Sequence, residues 1–253
     1  MPMAIPLILV TNDDGILAPG LEKLVTALES VGEVWVYAPD RQQSAVGHSV
    51  TLHRPLRVEP YRDRWFMVDG TPTDCVMLAV RDLLERRPDL VVSGINAGAN
   101  LGDDVTYSGT VAGAYEGMLL GVTSFAVSDV SYVPEFYDTA ARVAVGVAEF
   151  LLRKELPNET VLNVNVPDVP YEELDGAAFT SMGRRHYEDE IVRRQDPRGG
   201  AYYWIGGSEP SCFEEPGSDF EAIRNGKVSM TPLHRDITNR AVLETLAHRD
   251  FKL

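Results

Sequence analysis

Ile5-Pro6-Leu7-Ile8-Leu9-Val10-Thr11-Asn12-Asp13-Asp14-Gly15 is the stretch whose reading decides the fold. Its apolar run, Ile5–Val10, is short and continuous, and it stops abruptly at a polar turn, which is how a strand buried on both faces reads. The residues that follow, Leu17–Ser30, place Leu21, Leu24, Val25 and Leu28 at helical spacing. Glu33–Ala38 then reads as a second strand, ended by Pro39-Asp40. Strand, helix, strand in this order is the sign of a largely parallel sheet covered on both faces.

Farther along, Thr51–Pro60 and Trp65–Val68 read as antiparallel runs after a polar loop, Gln42–Ser49. Thr71-Pro72 opens a helix to about Glu85, with proline where its missing N–H costs nothing. Leu90–Val92 is a short apolar strand before the glycine-rich Ser93–Gly102, which reads as a functional loop. Thr110–Leu120 is a helix of small residues, Thr123–Val127 a strand, Phe136–Leu152 an amphipathic helix, and Val161–Val166 a further apolar run. Near Asp175 the character changes. Arg184, Arg185, Arg193 and Arg194 face an acidic run, Glu209–Asp219, across what read as long hairpin arms, followed by a strand at Lys227–Met230 and a helix at Thr238–His248. The division expected is an α/β core over residues 1–175 and, over 176–253, hairpin arms, a closing strand and a helix.

Charge and composition narrow the function. The 253 residues are 44% apolar, enough for a sizeable core, and carry a formal net charge of −15. That charge excludes an extended nucleic acid as partner, since polymer binding needs a positive surface. It leaves room for a small phosphorylated ligand, whose site one divalent cation and a few N–H donors can make locally positive. Cys75 and Cys212 lie far apart without a CxxC pair, so both read as buried, reduced thiols. Ala4–Val10, with no basic flank before it and running straight into Thr11–Gly15, is too short for a membrane or secretory segment, and the expected location is cytoplasmic.

Asp13 and Asp14 follow a buried strand and precede Gly15, which places two carboxylates at a strand's carboxyl end, where open α/β sheets bind ligands. Two carboxylates about 4 Å apart repel by roughly 4 kcal/mol at an effective dielectric of 20. Such a pair calls for a shared proton or a hard, oxygen-seeking cation such as Mg²⁺ or Mn²⁺. The same residues also suit a plain helix-entry turn, one aspartate capping and the other solvated. Asn96 offers a neutral oxygen ligand and Asn100 a second amide, in a run equally compatible with a glycine-rich surface turn. Ser44 can add a hydroxyl ligand, while His48 reads as an ordinary loop residue. Ser108, Gly109 and Thr110 stand before a helix whose N-terminus is suited to an anion, or to simple capping by either hydroxyl. Neither GxGxxG nor GxxxxGK[ST] occurs, so a Rossmann site and a P-loop are unsupported.

Taken together, Thr11–Gly15 with Ala18-Pro19-Gly20, Ala38-Pro39 with Gln43–Ser49, Gly70–Cys75, Pro88–Asn96 through Asn100, Tyr107–Val111 and Val228–Leu233 resemble, in their order, the survival-protein-E (SurE) family of 5′-nucleotidases. The resemblance implies a three-layer α/β/α sandwich with a mixed, mostly parallel sheet and a C-terminal hairpin and helix extension, exchanged or extended between subunits of a homodimer or homotetramer. It implies one divalent cation per subunit on Asp13, Asp14, Ser44 and Asn96, with the phosphate on Asn100, Ser108, Gly109 and Thr110. The activity implied is hydrolysis of nucleoside monophosphates, with looser action on 3′-nucleotides or short polyphosphate. Attack by a metal-activated water is expected, oriented or deprotonated by Asp13 or Asp14. Two alternatives stand beside it: a nucleotide-sensing binding protein without turnover, and a phosphatase forming a covalent aspartyl-phosphate.

Overall fold

The opening apolar run forms β1 (Leu7–Thr11), every residue of it buried. Its side chains alternate between two cores, as a strand's period of two requires. Ile8 and Val10 join one cluster, and Leu9 joins another with Cys75, Val76, Ala79 and Val91. The computed structural model describes residues 5–153, 156–157, 159–186, 191–205, 211–213 and 215–249. Among them no helix is long and apolar enough to cross a membrane.

Nine strands share one sheet: β1, β2 (Glu33–Pro39), β3 (Val58–Arg62), β4 (Trp65–Val68), β5 (Leu90–Ala97), β6 (Thr123–Asp129), β7 (Thr160–Val166), β8 (Ala177–Phe179) and β13 (Val228–His234). Their spatial order is β3-β4-β2-β1-β5-β6-β7-β13-β8. Pairings from β4 through β7 are parallel, whereas β3 on β4 and β13 on β7 are antiparallel. Helices α1 (Pro19–Leu28) and α4 (Tyr137–Leu152) cover one face, burying Leu21, Leu24, Leu28, Ala144 and Val147 against Ile8, Val10, Val92 and Phe125. On the other face lie α2 (Pro72–Leu78) and α3 (Gly109–Leu119), the latter packing Val111, Ala114 and Met118 on Ala126 and Val161. The result is a mixed, mostly parallel sheet with helices on both sides. Truncating one of these leucines, as in Leu24→Ala, costs about 2–5 kcal/mol.

The topology positions the site. From β1 the chain turns to β2 on one flank, and it later returns to place β5 on the other, so strand order reverses between β1 and β5. The crevice outside the carboxyl ends of the strands at such a reversal is where open sheets bind ligands.

Several elements differ from the sequence reading for identifiable reasons. The run from Thr51 becomes a strand only at Val58, because the Thr51 N–H and hydroxyl donate to the Asp74 carboxylate (2.9 and 2.6 Å) instead of joining a ladder. Asp74 also closes a capping box with Thr71, a device worth about 1 kcal/mol. The helix it starts ends at Leu78 and continues as a π turn, Ala79–Leu83. β5 runs on to Ala97, past the predicted loop, with its register on β6 shifted between Ser93 and Asn96. The closing strand extends to His234, and Pro232 is tolerated because β8 pairs only with Val228–Met230 on that side.

Beyond β8 the chain projects two antiparallel pairs. β9 (Arg185–His186) pairs with β12 (Ser211–Cys212), and β10 (Ile191–Gln195) with β11 (Ala201–Ile205). Arg184 meets the acidic run as expected, 2.7 Å from Glu215. Arg185 instead binds Asp104, and Arg193 lies over the Tyr203 ring, its neighbour across the hairpin. Short α5 (Asp219–Arg224) precedes β13, and α6 (Arg240–Leu246) closes the described chain with every residue exposed. Cys75 is a buried free thiol; the expectation for the Cys212 side chain, and for Glu209 and Pro210, lies outside the described residues.

Candidate active site

Asp13 and Asp14 stand where β1 ends and the chain turns toward α1. The turn needs Gly15, whose φ is +94°, and the Asn12 side chain secures it by donating to the Gly15 carbonyl (2.9 Å). Asp13 is 4% exposed and Asp14 half-buried. Neither carboxylate caps α1: that helix has no side-chain cap and starts at Pro19. The plain helix-entry reading therefore does not describe this pair.

Each carboxylate is held by a different neighbour. Asp14 Oδ2 accepts the Ala97 N–H at the end of β5 (3.1 Å), which sets it beside Asn96. The Asn96 side-chain N–H₂ donates to the Gly98 carbonyl (2.8 Å), an arrangement that leaves its carbonyl oxygen to act as a ligand. Asp13 Oδ1 accepts from the Thr110 hydroxyl, and its other oxygen lies against the first turn of α3. A Cβ added to Gly109 would stand 2.8 Å from Asp13 Cβ and 2.9 Å from Oδ2, so only glycine lets that helix start approach so closely. Ser108 is the N-cap of α3, its Oγ accepting the Val111 N–H (3.0 Å).

The electrostatics are those of an uncompensated acidic pair. Burial, aided by the charge of Asp14, pushes Asp13 up to about 6 against the opposing bond from Thr110. Burial also raises Asp14. Among the described residues no lysine, arginine or histidine forms an ion pair with either carboxylate. Nor does any group of three His, Cys, Asp or Glu side chains there form a metal cluster. The donors at hand are two carboxylates and neutral oxygens, which is the chemistry of a hard divalent cation and not of a thiolate or imidazole metal. The residues therefore fit Mg²⁺ or Mn²⁺.

Of the residues singled out in the sequence, the contacts join Asp13, Gly109 and Thr110 directly, and Asp14 is bound to Ala97, the residue after Asn96. Ser44 is exposed and accepts from the Gln42 amide (3.0 Å); it reaches this edge through the Gln43 N–H, which donates to the Asp13 carbonyl (2.7 Å). Asn100 is buried, its amide N–H₂ donating to Ser128 Oγ (2.8 Å). Because a hydroxyl both donates and accepts, that amide can present either of its ends to a ligand. Two residues that hold Asn100 escaped the sequence reading. Asn165 accepts the Asn100 N–H (2.8 Å), and Asn163 and Asn165 both donate to its carbonyl (2.8 and 3.0 Å). Their signal was present: two asparagines two apart in the otherwise apolar Val161–Val166, on one face of a buried strand. Also missed was the partner of His48, whose Nε2 lies 3.0 Å from the carboxylate of buried Glu116.

An open α/β sheet that gathers an acidic pair, two amides and a helix N-terminus at its switch point belongs to the class that binds anionic ligands at that edge. Comparison with known proteins narrows the class to one family. Residues 8–189 match the family described as Survival protein SurE. The chain is 53% identical over 244 residues to the 5′-nucleotidase SurE of Geobacter sulfurreducens, covering 96% of this chain and 93% of that one. It is 51% identical over 242 residues to the 5′-nucleotidase SurE of Alkalilimnicola ehrlichii, covering 95% and 93%. The crystal structure of the SurE protein from Aquifex aeolicus superposes with a TM-score of 0.85 at 43% identity, covering 96% of this chain and 99% of that one. The chain belongs to the SurE family.

Proposed function

We propose that the protein is a phosphoric monoester hydrolase acting on nucleoside 5′-monophosphates, with one divalent cation, Mg²⁺ or Mn²⁺, held by Asp13, Asp14, Ser44 and Asn96. The observation that carries this reading is the buried Asp13 carboxylate, raised toward neutrality and set against the N-terminus of α3, with no cationic side chain among the described residues to balance it. The names of relatives about half identical over nearly the whole chain support the same activity.

In this reading the phosphate sits at the start of α3, where the helix dipole and the N–H of Gly109 favour an anion. Ser108, already an acceptor toward Val111, turns its own O–H to a phosphate oxygen. Asn100, fixed by Asn163 and Asn165, donates from the other side. When bound, the cation supplies charge neutralisation and Lewis-acid activation of water. Asp13 takes the proton of the attacking water on Oδ2, its Oδ1 being held by the Thr110 hydroxyl. Thr110 thus serves Asp13 through its hydroxyl while its backbone belongs to the phosphate cradle. Action on 3′-nucleotides or short polyphosphate belongs to the same chemistry, as does association into a homodimer or homotetramer through the exposed arm and α6. A cytoplasmic location is part of the same reading.

Phosphate release from several nucleoside monophosphates and a generic phosphomonoester, with Mg²⁺, Mn²⁺ or chelator, tests it. Turnover that needs added metal is the expected result. Saturable nucleotide binding without phosphate release under every condition would replace the hydrolase with a sensor.

A further inference from the structure

The acidic run that meets Arg184 at the base of the arm ends in Asp219, a residue with a different task. Asp219, at the start of α5, is fully buried, and among the described residues no cationic side chain forms an ion pair with it. A buried charge without a counterion persists only where donors satisfy it. Backbone N–H groups do so here: Oδ2 accepts from Gly102 (2.8 Å), and Oδ1 from Gly183 (2.9 Å) and Phe220 (2.9 Å). Gly183 lies at the arm's base, just before β9, whereas Gly102 lies in the segment that joins Asn100 to Ser108. One carboxylate thus fastens the arm base to the stretch whose two ends hold the phosphate in the reading above.

That stretch is a 3-10 turn, Gly102–Thr106. Its internal bonds, Asp104 N–H on the Leu101 carbonyl (3.1 Å) and Tyr107 N–H on the Asp104 carbonyl (3.0 Å), fix its shape and not its place. On the arm side its place is set by Asp219 at its first residue and by Arg185 at the next two. The Arg185 N–H donates to Asp103 Oδ2 (3.1 Å), and its guanidinium pairs with Asp104. Glycine is required at 102: φ is +51°, and a Cβ there would stand 2.5 Å from the Gly183 carbonyl oxygen and 2.8 Å from the Phe220 ring. A carboxylate is likewise required at 219. It offers two acceptor oxygens where an amide offers one, so asparagine would turn an N–H₂ group toward one of the two glycine N–H donors.

We infer that Asp219 is a positioning residue for the phosphate cradle, acting with Arg185 through the Gly102–Thr106 turn. The inference rests on the hydrolase reading for the roles of Asn100 and Ser108. Asp219→Asn should raise both KM for adenosine 5′-monophosphate and the inhibition constant of inorganic phosphate about tenfold, as expected when a binding group is displaced by a fraction of an ångström. Arg185→Gln should raise both about threefold, and Arg185→Lys should recover most of the loss. A merely structural role would lower the active fraction, and with it kcat, while KM and phosphate inhibition stayed at wild-type values. That result in a folded Asp219→Asn protein overturns the inference; if this variant does not fold, Arg185→Gln decides by the same criterion. If wild-type protein releases no phosphate, the hydrolase reading fails, and calorimetric titration with inorganic phosphate judges the turn instead. Wild-type affinity in the variants then overturns the inference, as does wild-type protein that binds no phosphate.

Discussion

Around Asp13 the chain buries polar groups, and in the β10–β11 hairpin it exposes apolar ones. At the sheet edge Thr11, Asn12, Asp13, Asn100, Thr110, Asn163 and Asn165 are all nearly inaccessible, and most are tied to one another or to backbone. In the hairpin Ile191, Tyr202, Tyr203, Trp204 and Ile205 stand in solvent, Ile205 being 84% exposed. Buried polar groups are costly unless satisfied, so the first region is maintained by its hydrogen bonds. Exposed aromatic and aliphatic side chains on a protruding hairpin make sense against another surface. One chain thus ties its polar edge together, while its arm leaves apolar side chains in solvent.

The strongest way to break this comparison is at its polar end. Asp13→Asn keeps the size and the Thr110 contact but removes the negative charge and the base, and phosphate release should fall by about 10³-fold or more. Circular dichroism should show the fold intact. Wild-type turnover by this variant would remove Asp13 from the mechanism altogether.

Gly109→Ala should follow, at about 10²-fold. Its methyl group would meet Asp13 Cβ and Oδ2 inside van der Waals distance, and moving a catalytic group by a fraction of an ångström to an ångström carries a penalty of that order. Steady-state kinetics with and without excess metal separates a displaced carboxylate from a lost phosphate contact. Unchanged kcat would mean that α3 can retreat from Asp13 at no cost to the reaction.

These two positions also show what a sequence makes legible. The Asp13–Asp14 pair could be placed at the sheet edge because a buried strand read directly into it, and Gly15 signalled the turn. Ser108 and Gly109 were legible as a helix start for the same local reason. Asn163 and Asn165 were not, since their partner Asn100 is more than sixty residues away in sequence and their strand reads as apolar. Thr110 shows a contact that the sequence hid. Its hydroxyl invited assignment to the phosphate, yet the nearest acceptor in three dimensions is Asp13, a contact no periodicity reveals. The extension of β5 through Asn96 was likewise hidden, because glycines that look like a loop are accommodated by a register shift on β6.

At the apolar end of the comparison, Trp204→Ser with Ile205→Ser should weaken self-association by about tenfold to a hundredfold, aromatic anchors contributing most at protein interfaces. Solution mass against concentration, by sedimentation or light scattering, is the measurement. A mass unchanged at every concentration would show that the hairpin is not what joins the subunits. Removal of residues beyond Thr238 asks the same of α6, none of whose side chains is buried in the single chain.

The smallest expected effect sharpens the comparison most, because it asks whether the buried charge of Asp13 is a cost that function maintains. Burial raises Asp13 from 3.8 to about 6 in the folded state, so between those values the folded protein holds a proton that the unfolded chain has lost. Stability of the metal-free protein therefore declines as pH rises through that window, by at most about 3 kcal/mol from this residue. Asp104 and Asp129, each also raised to about 6 by burial, act in the same direction, so wild-type pH dependence alone does not isolate Asp13. The difference between wild type and Asp13→Asn does. In chelator at pH 7 the asparagine variant, dead as an enzyme, should unfold at higher urea than wild type by about 1–2 kcal/mol, and the gap should close toward pH 4. Added Mg²⁺ or Mn²⁺ should reverse the order by stabilising wild type through mass action, an effect the variant largely lacks. An asparagine variant no more stable than wild type in chelator would mean that water or relaxation already solvates the pair, and that a cation is not needed to make it tolerable.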